Sequence, residues 1–112
     1  MRLCDVLAGS GRIDVVIGVD VSGSVRRERM SDELQFIADI VDDLEVSAEK
    51  TRVALVYFSD DAYQLFTFTQ FHHKQDIIYA IKSTPYLGGR TNSAAALQLM
   101  VIIFSLSAVA SL

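Results

Sequence analysis

The chain has 112 residues, 51% hydrophobic and 21% charged, which suits a single domain with a buried core and is too apolar for a disordered segment. Ten basic and 14 acidic side chains leave a formal charge of −4, and the one basic stretch, Arg26-Arg27 and Arg29, is split by Glu28, so no nucleic-acid-binding face is expected. The single cysteine, Cys4, cannot form a bridge within the chain, and Met1–Asp5 lacks the apolar run of a secretory signal.

Residues 1–12 read as an entry segment ending in Gly9-Ser10-Gly11. Ile13–Asp20 is an almost unbroken Val/Ile run, the pattern of a strand buried on both faces of a parallel sheet. It leads into Asp20-Val21-Ser22-Gly23-Ser24, a turn that opens a helix, with Ser24 placed as its N-cap. Leu34, Ile37, Ile40, Val41 and Leu44 recur at helical spacing, and Asp42, Asp43, Glu45, Glu49 and Lys50 mark the exit. Arg52–Ser59 is a second strand, Ser59-Asp60-Asp61 a turn, and Ala62–Thr69 a third strand with Tyr63 and Leu65 on one side; so short a connection makes the pair antiparallel. His73–Ser83 predicts a short helix resting on Ile77, Ile78 and Ile81. Pro85 and Gly88-Gly89 shape a loop carrying Thr91, after which Asn92 opens another helix through Ala94, Ala95, Ala96, Leu97 and Leu99. No charge follows Arg90, and Met100-Val101-Ile102-Ile103-Phe104 is apolar all round. Ala94–Leu112 approaches the roughly 20 residues of a membrane span, but Gln98, the serines and the absence of a flanking basic residue argue against one.

Asp20, Ser22 and Ser24 place one carboxylate and two hydroxyls at alternate positions of the turn, and Thr91 can add a third hydroxyl from a distant loop. Oxygen-only donors suit a hard divalent cation, Mg²⁺ or Mn²⁺. Gly23 lets the turn bring the hydroxyls round. Asp60 and Asp61 read as turn residues, and His72 and His73 as a solvated loop with no third ligand for zinc. Enzyme chemistry is not expected. A haloacid-dehalogenase-like phosphatase needs a second aspartate where Ser22 stands, and neither a Gly-x-x-x-x-Gly-Lys loop nor a nucleophile–base pair is present.

Residues 13–100 resemble the first half of a von Willebrand factor type A domain, the adhesion module also known as the integrin inserted domain. Asp20, Ser22 and Ser24 match its Asp-x-Ser-x-Ser motif, and Thr91, within Gly88-Gly89-Arg90-Thr91-Asn92, matches its second-loop threonine. Val53–Phe68, with Tyr57-Phe58-Ser59-Asp60-Asp61, is similar to the extracellular-matrix branch. The resemblance implies an α/β fold: residues 1–112 as one truncated domain, a partial doubly wound Rossmann-like sheet of strand order 3-2-1 with an antiparallel edge strand. The family's remaining strands, and a further loop aspartate of its metal site, have no counterpart here. That implies an exposed edge on strand 13–20 and weaker metal binding. It also implies an extracellular module in which Asp20, Ser22, Ser24 and Thr91 hold the ion. The ion bridges to an Asp or Glu of a protein partner, collagen or another matrix protein, with Gly23, Gly89, Arg90 and Asn92 facing that partner. In that branch a cysteine before the first strand often pairs with one after the last helix, so Cys4 is either half of such a bridge or a free thiol. The alternative function is a non-binding fragment that self-associates through its open sheet edge and apolar C-terminus.

Overall fold

A computed structural model describes residues 2–7, 13–47 and 49–110, with 2–7 and 106–110 described as backbone. The elements are β1 (Arg2–Leu7), β2 (Ile13–Asp20), α1 (Arg27–Asp42), β3 (Thr51–Phe58), β4 (Ala62–Phe66), α2 (Lys74–Lys82) and α3 (Ser93–Ala110). The sheet runs β1-β2-β3-β4, with β2 and β3 parallel and both outer strands antiparallel to their neighbours.

The unbroken apolar runs of β2 and β3 are explained by cover on both faces, as parallel strands require. Side chains alternate across the sheet. Val15, Ile17 and Val19 of β2, with Val53 and Leu55 of β3, meet Leu34, Ile37, Ala38 and Val41 of α1 and Ile77 and Ile81 of α2. Val16, Ala54 and Val56 face the other way and meet Phe68 with Met100 and Ile103 of α3. The 3-2-1 order with an antiparallel edge strand is thus observed as β4-β3-β2.

Three expectations are corrected. The edge of strand 13–20 is not open: β1 pairs along it from Arg2↔Gly18 to Leu7↔Ile13. Unpaired N–H and C=O groups along an apolar edge favour capture of the nearest strand-forming segment, and a short connection makes that pairing antiparallel. Gly9-Ser10-Gly11 lies outside the described residues, as does the Cys4 side chain, although its backbone stands opposite Val16. Ser24 is not the N-cap of α1. Arg26 holds that position without a side-chain bond, because the Ser24 hydroxyl is engaged elsewhere. Finally, β4 stops at Phe66 rather than Thr69; the chain turns there, so that Phe66 is buried on the α1 face and Phe68 on the α3 face. No described helix is long and apolar enough to cross a membrane.

At the opposite end of the sheet from Asp20, Arg52 donates from Nε and Nη2 to the two oxygens of Asp14, at 2.8 and 2.7 Å. Its guanidinium also lies over an aromatic face, 5.2 Å from the Phe68 ring centre. The pair anchors the start of the β2–β3 ladder, where Asp14 stands opposite Arg52.

Candidate metal centre

Asp20 is the last residue of β2, at the carboxyl end of the parallel pair, where open α/β sheets form their ligand crevices. The Ser22 amide donates to Asp20 Oδ1 at 2.8 Å, which orients the carboxylate. The turn then carries Ser22 inward, fully buried, and leaves Ser24 exposed.

Thr91 arrives from the loop between α2 and α3. The Val21 carbonyl accepts the amides of Leu87, at 3.2 Å, and Gly88, at 2.8 Å, and the Gly23 amide donates to the Gly89 carbonyl at 2.9 Å. A Cβ on Gly23 would sit 3.2 Å from that carbonyl oxygen, so the close approach of the two loops favours glycine there.

The four expected metal-binding residues come together. Ser22 Oγ lies 2.7 Å from Ser24 Oγ and 2.6 Å from Thr91 Oγ1; Ser24 Oγ lies 2.9 Å from Thr91 Oγ1 and donates to Asp20 Oδ2 at 3.3 Å. Four oxygen–oxygen contacts therefore share the three hydrogens of three hydroxyls. The cluster has more lone pairs than protons, which is the condition a cation relieves. Its spacings also approach the edges, about 2.8–3.0 Å, of an octahedron with metal–oxygen lengths of about 2.0–2.1 Å. The donor set fits a small hard divalent ion, with one carboxylate and three neutral oxygens.

Gly23, Gly89, Arg90 and Asn92 are all exposed around these hydroxyls. Asn92 has a local task as well. Its Oδ1 accepts the Ala95 amide at 3.0 Å, capping α3, and its Nδ2 donates to the Asp60 carbonyl at 3.2 Å. Asp60 is the residue that the sequence reading leaves as a plain turn residue. Its Oδ1 accepts the Arg90 amide at 2.8 Å and, at 3.4 Å, Arg90 Nε. The Arg90 amide, aided by its guanidinium and opposed by partial burial, holds the Asp60 carboxyl below the ordinary carboxylate range. Ser59-Asp60-Asp61 announces a turn in the sequence, but no local signal says which loop it touches. Among the described residues no group of three or more His, Cys, Asp or Glu could hold a metal, and His72 and His73 are both exposed.

The family model for the von Willebrand factor type A domain matches residues 14–109. Human matrilin-1 is 36% identical over 103 residues, covering 89% of this chain and 21% of the relative. The transmembrane cell adhesion receptor mua-3 of Caenorhabditis elegans is 34% identical over 103 residues, covering 89% of this chain and 3% of the receptor. Among solved structures, proximal thread matrix protein 1 from the mussel byssus, with a zinc-occupied MIDAS motif, superposes with a TM-score of 0.69 at 27% identity. That match covers 86% of this chain and 26% of the other. The chain thus spans about a quarter or less of the length of each of these three proteins.

Proposed function

The chain belongs to the von Willebrand factor type A domain family, and from that premise we propose that it is a non-catalytic protein-binding module of the extracellular matrix, acting through Mg²⁺ or Mn²⁺. The observation that carries this reading is the proton-poor cluster of Asp20, Ser22, Ser24 and Thr91, with hydroxyl spacings of 2.6–2.9 Å. When bound, a divalent ion held mainly by neutral oxygens keeps most of its charge and attracts a carboxylate. The partner is therefore a matrix protein, such as a collagen, that presents an exposed Asp or Glu. Gly23, Gly89, Arg90 and Asn92 form the rim that such a partner meets. The Arg90 guanidinium, 92% exposed, adds positive charge beside the approaching carboxylate.

Calorimetric titration of Mg²⁺ and Mn²⁺, with Zn²⁺ alongside because the byssus protein carries zinc, tests the metal reading. Saturable binding is expected in the wild type, lost in Asp20→Ala and weakened about tenfold or more, about 1.4 kcal/mol, in Thr91→Ala. Capture of an acidic matrix ligand should disappear with a chelator; capture that persists unchanged in chelator would sink the proposal.

A second reading, self-association, has one observation in its favour. Leu97, Val101 and Ile102 of α3 are exposed, Val101 by 62%. Sedimentation of a monodisperse monomer at high concentration would count against it.

A further inference from the structure

We propose that Asp60 is a positioning residue for the metal centre: its carboxylate clamps the loop that carries Thr91, so that the threonine hydroxyl is held ready before any ion arrives. This inference rests on the reading of Asp20, Ser22, Ser24 and Thr91 as the metal-binding set. It adds a residue outside that set, on the β3–β4 hairpin, that sets the geometry.

Both chain neighbours of Thr91 are fixed by hydrogen bonds to the β3–β4 turn. On one side, the Arg90 amide is fixed to Asp60 Oδ1 at 2.8 Å. On the other, the Asn92 amide donates to the Ser59 carbonyl at 2.8 Å and the Asn92 side chain to the Asp60 carbonyl at 3.2 Å. Thr91 is thus bracketed by two residues pinned to one tight turn. That turn is rigid in its own right: the Ser59 amide donates to the Asp61 carbonyl at 2.9 Å, and β3 ends one residue earlier, at Phe58.

Gly89 supports the same conclusion independently. Its φ is +77°, and a Cβ there would lie 3.0–3.2 Å from three atoms of the Asp60 carboxyl group. The carboxylate therefore packs directly onto the glycine backbone, in space that any side chain at 89 would take. Bonds separated by 30 and 32 residues in sequence register the hairpin against the loop. The loop is in turn registered against the Asp20–Ser24 turn by the Gly23–Gly89 bond of 2.9 Å. Without the Asp60 clamp the Gly23 bond and the Asn92 contacts still hold the loop near, but the orientation of the Arg90–Thr91 peptide is no longer set. A misplaced hydroxyl in a coordination set costs affinity even when the fold is intact, and losing a partner one step outside the ligands typically costs ~10–100-fold in metal affinity.

The test is titration of Mn²⁺ into wild type, Asp60→Ala, Asp60→Asn and Thr91→Ala, with thermal unfolding and the Thr91 amide and methyl NMR signals recorded for each without metal. Asp60→Ala should bind Mn²⁺ about tenfold more weakly than wild type. It should also shift the metal-free Thr91 signals while leaving the melting temperature close to that of wild type. Asp60→Asn keeps an acceptor oxygen for the Arg90 amide and should recover most of the affinity and the wild-type Thr91 signals. Wild-type affinity and unshifted Thr91 signals in Asp60→Ala would overturn the inference. If the wild type takes up no metal, the functional proposal fails, and the metal-free Thr91 signals still decide whether Asp60 positions the loop.

Discussion

The acidic side chains of this domain do different work according to what faces them. Asp60 keeps a side chain 59% exposed and is held below the ordinary carboxylate range chiefly by the Arg90 backbone amide. Because that cause is a backbone group, Arg90→Ala should leave the Asp60 titration still depressed, only less so; a return to the ordinary range in side-chain NMR would contradict the geometry. The sign for stability follows from linkage. A lowered folded-state value means that the Asp60 contribution is present at pH above its unfolded value and is lost as pH falls through the lower folded value. Asp14 is the buried counterpart, 6% exposed, with Arg52 bonded to both of its oxygens. Arg52→Met removes that fork from a buried carboxylate, an expected loss of about 1.5–3 kcal/mol in denaturant unfolding. The double variant with Asp14→Leu should recover much of that loss.

At the level of elements, α3 shows how far a helix without charges depends on what it covers. Ala96, Met100 and Ile103 face the sheet and are 3–5% exposed, whereas Val101 is 62% exposed. Met100→Ala should therefore cost about 2–5 kcal/mol, and Val101→Ala about 0.5 kcal/mol or less, as read by thermal or chemical unfolding. Equal effects would mean that α3 is not docked by the Met100 face. The apolar all-round pattern of Met100–Phe104 is thus half core and half surface. Periodicity could not separate the two, because both faces carry the same residue types. The hairpin is a different case: Tyr57 and Tyr63 stack with ring centres 5.3 Å apart, and the short Ser59–Asp61 turn was readable because a connection of that length leaves the two strands only antiparallel pairing.

On the scale of the whole molecule, β1 changes the outlook for self-association. It occupies the edge of β2 that the sequence reading expects to be open, so removal of residues 1–12 should expose an apolar parallel strand and promote association. Analytical ultracentrifugation of the shortened chain is expected to show concentration-dependent assembly beyond that of the full chain. A monodisperse shortened chain would mean that the edge is protected in another way. The two helical layers give each face of β2 and β3 its own buried cluster among the described side chains.

The local parts of this protein are determined by sequence alone. The Val/Ile runs, the three-and-four spacing of α1, and the hairpin turn depend on residues within a few positions of one another, and so does the Asp20-x-Ser22-x-Ser24 turn. Thr91 is legible as a candidate hydroxyl donor from its residue type and loop, but its pairing with the Asp20 turn comes from the resemblance, since no local rule joins Ser22 to a residue 69 positions away. The tertiary structure decided what the hydroxyls bond to and which segment closes the β2 edge. It also decided that Ser24 serves the cluster rather than the helix, and that Asp60 grips the Thr91 loop. Those outcomes turn on hydrogen bonds between segments far apart in sequence. Such bonds are chosen only when packing brings the segments together and each buried or crowded polar group takes the partner within its reach.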